Sequence, residues 1–134
     1  MDRLIELEQR FVQEPLAKAF GLRLDSLENG HSRISMTVKE EQTIVGGVAQ
    51  GGVTTVLADY AGVYAAMTKI AVGHTPAKRI EIGLIRPVRL GETVSATANV
   101  VVETRSMLIV AVDVTGDDGR QKAYATIEFA KPKA

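Results

Sequence analysis

The stretch Val48–Met67, VAQGGVTTVLADYAGVYAAM, carries a single charged residue, Asp59, and widening the window to Gln42–Thr68 adds no other. It is rich in Ala, Val, Thr and Gly, and from Gln50 to Lys69 it is apolar nearly all round, so a helix formed there must be enclosed. On either side the pattern changes to a period of two. Upstream, Leu22 and Leu24 alternate, Asn29-Gly30 marks a turn, and Ile34, Met36 and Val38 alternate again, a hairpin signature. Downstream there are four such runs: Ile80, Ile82 and Leu84; Val94 through Val102; Leu108 through Val114; and Ala123 through Phe129, with Gly116–Gly119 (GDDG) turning between the last two. Each run has one apolar face, as in an antiparallel sheet covered on one side. The predicted order is therefore helix, two strands, long helix, four strands. Its simplest packing is α+β, a curved antiparallel sheet wrapped around one long central helix.

The first 20 residues form a helical segment of their own. Leu4, Ile5, Leu7, Phe11 and Val12 recur at helical spacing after Asp2, a predicted N-cap. Pro15 ends that helix or opens a second short one, PLAKAF, closed by Gly21. A chain of 134 residues without repeat or linker is read as one domain over 1–134, and 46% hydrophobic with 24% charged residues excludes disorder. A formal net charge of zero argues against nucleic acid or an anionic membrane as partner. Zero cysteines exclude disulfides, thiolate metal sites and a Cys nucleophile. MDRLIELEQR lacks the basic-then-apolar order of a secretory signal, and the expectation is a soluble cytoplasmic protein. His31 and His74 are isolated and are read as ordinary surface residues, so no metal and no cofactor is expected.

Two features carry chemistry. VGGVAQGG places Gly46, Gly47, Gly51 and Gly52 just before a helical run. Free amides at a helix start bind anions or a carbonyl becoming an oxyanion, and glycine allows close approach; a tight loop entering a crowded helix would read the same way. Asp59 is the second. A buried carboxylate without a partner takes up a proton, so a chain keeps it paired for structure or uses its raised proton affinity for acid–base work. Gly51 and Asp59 are eight residues apart, ~12 Å along a helix, and cannot both touch one reacting carbonyl. If both act, a second copy must lay its helix alongside, which makes a symmetric dimer.

The pattern resembles the hotdog-fold acyl-CoA thioesterases, in particular the phenylacetate-degradation-type branch, which reads Asn, Gly, His-Gly-Gly and an acid nine residues after the His. Here Gly47, Gly51, Gly52 and Asp59 match; LIRPVRLGETVSATANVV and VDVTGDDGRQKAYATIEF resemble the later strands, and the likeness covers roughly residues 15–130. The resemblance implies hydrolysis of acyl-CoA thioesters, short-chain or aromatic, to free acid and coenzyme A. The Gly51 amide would polarise the thioester carbonyl, and Asp59 of a partner would act as base or nucleophile. Gln50 stands at the His position, able to hydrogen-bond but not to exchange a proton near neutral pH, and Ile44 stands at the Asn position, with Gln42 or Thr43 as nearby polar substitutes. Gly52, Gly47, Tyr60, Thr75, Arg86 and Arg105 are candidate substrate contacts, the arginines for coenzyme A phosphates. A homotetramer, as a dimer of dimers, follows by analogy. A hydratase or dehydratase on the same fold and a non-catalytic acyl-CoA binding module are the alternatives.

Overall fold

Asp2 opens the first helix by accepting a hydrogen bond from the Leu4 amide at 2.9 Å, so α1 (Arg3–Phe11) is capped as its sequence predicts. Pro15 then starts α2 (Pro15–Phe20), which ends on Gly21 at φ 70°, a left-handed conformation suited to glycine. The computed structural model describes residues 2–132. Met1, Lys133 and Ala134, the outer ends of the 1–134 domain, lie outside it.

The alternating runs form six strands: β1 (Arg23–Glu28), β2 (His31–Thr37), β3 (Ala77–Leu84), β4 (Thr93–Glu103), β5 (Met107–Gly116) and β6 (Gln121–Ala130). They make one antiparallel sheet in the order β1-β2-β4-β5-β6-β3. Across its concave face runs α3 (Gly51–Met67), lying mainly over β2, β4 and β5. The helix packs close because its inner face is small. Ala58, Ala61, Ala65 and Ala66 are fully buried, and a Cβ on Gly62 would stand 2.7 Å from Ile127 Cδ1. Ser32, buried at the β2 contact, donates to the Ala61 carbonyl at 2.6 Å, which leaves no polar atom stranded there.

Three expectations change. His31 is half-buried rather than a solvent residue, with its ring against Asn99 Oδ1 at 2.9 Å and Ser26 Oγ at 3.5 Å. The alternation in β4 stops at Val100, because the register slips between Val100 and Val102 and turns Val102 outward. The largest change concerns β3. Ile80, Ile82 and Leu84 pair with Ile127, Ala125 and Ala123 and so share their concave face. Yet Ile80 is 38% and Leu84 56% exposed, because β3 is an edge strand that α3 of the same chain leaves largely uncovered, although Leu84 lies against Gly51 at the helix start. Alternation reveals which face is apolar, not what covers it.

The link between β3 and β4 ties the sheet to the glycine loop. The Lys122 ammonium, 6% exposed, meets Glu92 at 3.2 Å and Asp118 at 3.0 Å, while the Lys122 carbonyl accepts from the Ile85 and Arg86 amides. Further along, Ala49 N–H donates to the Val88 carbonyl at 2.7 Å and Leu90 N–H to the Gly47 carbonyl at 2.9 Å. The start of α3 is thereby fixed relative to the start of β6.

Candidate active site

The start of α3 is built by Gln50. Its backbone is extended, its own amide donates to the Gln42 carbonyl at 3.0 Å, and its side-chain oxygen accepts from the Gly52 amide. Gln50 is thus a helix N-cap. The next first-turn donor, the Gly51 amide, has no acceptor among the described residues and sits where the helix dipole concentrates positive charge. Gly46 and Gly47 precede it at φ 110° and 83°, so that bend requires glycine.

Along α3 the residues left uncovered are Gly51, Gly52, Thr55, Val56, Asp59 and Tyr60, one stripe at helical spacing. The Thr55 hydroxyl donates back to the Gly51 carbonyl at 2.9 Å. On this stripe Asp59 is partly covered; its Oδ1 is buried and has no hydrogen-bond partner among the described residues. Burial pushes the Asp59 carboxyl above the ordinary carboxylate range, and positive charge on His74 pulls it partway back. A carboxylate of this kind is poised to take a proton. Tyr60 borders it, edge-on to Phe11 at 6.5 Å, and Tyr64 turns inward, edge-on to Phe11 at 5.2 Å and donating to Glu14 at 2.7 Å.

Beside the Gly51 end lies an open cavity of 270 Å³, walled by Ala49, Gly51, Thr54, Leu84, Arg86 and Val88. Arg86 stands at its edge, exposed, with Nη1 donating to the Gln121 carbonyl at 2.8 Å. A Cβ on Gly51 would meet Leu84 Cδ1 at 2.8 Å, the tip of a flexible, exposed side chain. The Gly51→Ala variant is therefore expected to melt within about 2 °C of the parent, while its methyl intrudes on the cavity and lowers turnover by ~10–100-fold through misplacement of the bound group. Thermal melts beside steady-state rates check this.

A family model described as thioesterase superfamily matches residues 46–123, which include the glycine loop, α3 and the strands through the start of β6. The chain belongs to the thioesterase superfamily. A Saccharolobus solfataricus protein whose name describes it provisionally as an esterase is 29% identical over 120 residues, 90% of this chain and 78% of that one. The phenylacetic acid degradation protein PaaI of Thermus thermophilus, solved as a mutant, is 27% identical with a TM-score of 0.83, over 89% of this chain and all of that one. A Streptococcus mutans protein solved with acetyl-CoA shares the fold, at 23% identity and TM-score 0.77, over 84% of this chain and 90% of that one. The protein is a thioester hydrolase with the hotdog fold.

In this thioesterase Gln42 and Thr43, the polar residues nearest Ile44, are both committed. Gln42 is buried, with its side chain donating to the Phe20 carbonyl at 3.2 Å and accepting from the Lys39 amide at 2.9 Å, and Thr43 donates to the Glu40 carbonyl at 2.6 Å. Ile44 itself is half exposed. Thr75 is buried and donates to the Ala130 carbonyl at 2.7 Å. Arg105 stands in the β4–β5 turn, about seven residues, or ~23 Å of strand, from the cavity end of the sheet. Gly51 and Arg86 thus line the cavity, with Gly47 and Gly52 beside them at the start of α3, Asp59 and Tyr60 at mid-helix, and Thr75 and Arg105 at the far end. Thr54 escapes a reading of the sequence alone, although its spacing from Gly51, i to i+3, places it over the helix start. His74 likewise faces Asp59 only once the loop after α3 folds back.

Proposed function

We propose that this thioesterase hydrolyses acyl-CoA thioesters at two equivalent sites formed between the α3 helices of a homodimer. The observation that carries this reading is the pairing of functions on one uncovered stripe. A free amide sits at Gly51 and a partly covered carboxylate with one buried, unpartnered oxygen at Asp59, ~12 Å apart on a helix rising 1.5 Å per residue. Neither reaches the other within one chain. An antiparallel second α3 brings the partner subunit's Asp59 to Gly51, and β3 supplies a free edge with a bare apolar face to bury in the same contact. The thioester carbonyl lies on the Gly51 amide, and the partner's Asp59 takes a proton from water or attacks the carbonyl itself. Gln50 holds the helix start by its cap, and Arg86 at the cavity mouth suits a phosphate of coenzyme A. Pairing of two such dimers into a tetramer and a cytoplasmic location belong to the same reading.

The S. mutans fold relative solved with acetyl-CoA supports coenzyme A as the carrier. The likeness to the phenylacetic acid degradation protein PaaI of T. thermophilus supports an aromatic acyl group, and the acetyl-CoA of the S. mutans relative a short one. The test is thiol release from acetyl-, hexanoyl-, benzoyl- and phenylacetyl-CoA. Turnover of at least one supports the reading. Hydration of an enoyl-CoA without thiol release, or tight binding without turnover, replaces it with the hydratase or the binding module.

A further inference from the structure

Lys122 is a buried charge at a position where the strand pattern calls for an exposed side chain. Along β6, Ala123, Ala125, Ile127 and Phe129 face the core and Tyr124 faces out, so alternation puts Lys122 on the outer side. A bulge redirects it. Val114 pairs with Ala123 but Thr115 with Gln121, which leaves Lys122 as the extra residue. Its ammonium meets Glu92 at 3.2 Å and Asp118 at 3.0 Å, and donates to the Pro87 carbonyl at 3.4 Å. Gly116 reserves the room for this cluster. Its φ is not left-handed, so no turn requires glycine there, but a Cβ would clash with Glu92 Oε2 and Lys122 Cε. A buried ion cluster adds little net stability over apolar residues of the same volume. Stability alone does not account for it.

Its neighbours do. The Lys122 carbonyl accepts from the Ile85 amide at 2.8 Å and the Arg86 amide at 3.1 Å, its ammonium holds Pro87, and Glu92 accepts from the Arg89 amide at 3.1 Å. The segment held in this way, Ile85 to Val88, is one wall of the cavity that Gly51 lines from the other side. Arg86 carries the charge of that wall. Its Nη1 is anchored to the Gln121 carbonyl, and among the described residues no carboxylate pairs with its guanidinium. The remaining N–H groups are free to donate to a phosphate.

We infer that Lys122 is a positioning residue of the thioesterase: clamped by Glu92 and Asp118, it sets the Ile85–Val88 wall and so presents Arg86 to a phosphate of the coenzyme A moiety. This rests on the proposed function above. Lys122 is itself too buried to reach the phosphate and acts through the arginine. The phosphate lies far along the carrier from the reacting carbonyl, so Arg86 holds it equally in the ground and transition states. Loss of the placement therefore raises KM and leaves kcat.

The experiment is a double-mutant cycle on Lys122→Met and Arg86→Ala. It is run on the best acyl-CoA of the panel and on the same acyl group carried by N-acetylcysteamine, which has the thioester but no phosphate. Arg86→Ala is expected to raise KM for the acyl-CoA ~10-fold, the scale of one charge-assisted hydrogen-bond pair, with kcat within about threefold of the parent. Lys122→Met is expected to raise KM ~5-fold alone and to add nothing in the Arg86→Ala background, because it works through that arginine. On the N-acetylcysteamine thioester all variants are expected to stay within about twofold of the parent. Lys122→Met strands the buried Glu92, so Asp118→Asn, on the exposed side of the cluster, is the second variant and decides the matter where the first does not fold. It is expected to raise KM ~3-fold, again only where Arg86 is present. Effects that add to those of Arg86→Ala, or that fall equally on both thioesters, overturn the assignment and make Lys122 a structural residue. An unchanged KM in Arg86→Ala, or in the folded cluster variants, overturns it and leaves the hydrolase reading intact. Absence of turnover in the parent overturns both this assignment and the reading beneath it.

Discussion

Replacing Asp59 by Asn is expected to cut thiol release by about 10³-fold or more, because Asn preserves shape but is neither a base nor a nucleophile. The same change is expected to raise the melting temperature at neutral pH. Burial lifts the Asp59 carboxyl above its ordinary value of 3.8, so the folded chain favours the protonated acid. Stability from this group is greatest below its unfolded pKa and declines as pH rises through the folded one. Asn does not titrate and carries no such cost. Relief of the desolvated charge, about 1 kcal/mol, corresponds to a rise of roughly 2–5 °C. Turnover has the opposite sign, since the ionised form works: it falls on acidification, with the limb above the ordinary carboxylate range. A variant both dead and more stable identifies a residue kept for chemistry at the expense of the fold. A variant dead and less stable, or alive, makes Asp59 a structural acid.

The second large effect lies at Thr55. If Gly51 of one helix meets Asp59 of an antiparallel partner, the twofold axis passes through the residue midway between them, which is Thr55. Its half-buried side chain, bonded back to Gly51, leaves room in a single chain for a larger residue to point outward. Thr55→Arg sets two like charges face to face at the crossing, where repulsion and desolvation oppose contact. The expected result is a folded monomer by light scattering, with thiol release reduced to the level of Asp59→Asn. A monomer that keeps its turnover would place the whole site in one chain.

The fold was legible because two periods alternate without ambiguity: an enclosed helix announces itself as an apolar run, and each strand as an apolar face. What that pattern lacked was the third dimension. Ile80 and Leu84 read as core by alternation but lie on an edge strand that α3 leaves largely uncovered, and the slip after Val100 is a local twist that no periodicity encodes. Asp59 stood out because a lone charge in a window of 27 residues is conspicuous in one dimension. Gln50 was ambiguous for the opposite reason, since an amide can orient a ligand or cap a helix, and only its contact with the Gly52 amide makes it a cap. Thr54 and Thr55 are indistinguishable as letters. One bonds to its own helix and the other opens on a cavity, a difference of 100° around the helix axis.

The central claim is that each site draws Gly51 from one chain and Asp59 from the other. The most direct measurement is subunit complementation. Gly51→Leu, which fills the cavity, and Asp59→Asn are co-expressed with different tags, and the heterodimer is purified through both. Each homodimer is expected to be inactive. The heterodimer contains one site with both residues intact and one with neither, so it is predicted to regain about half the turnover of the parent dimer. A heterodimer as inactive as its two parents would show that Gly51 and Asp59 do not meet across the interface, and would contradict the account.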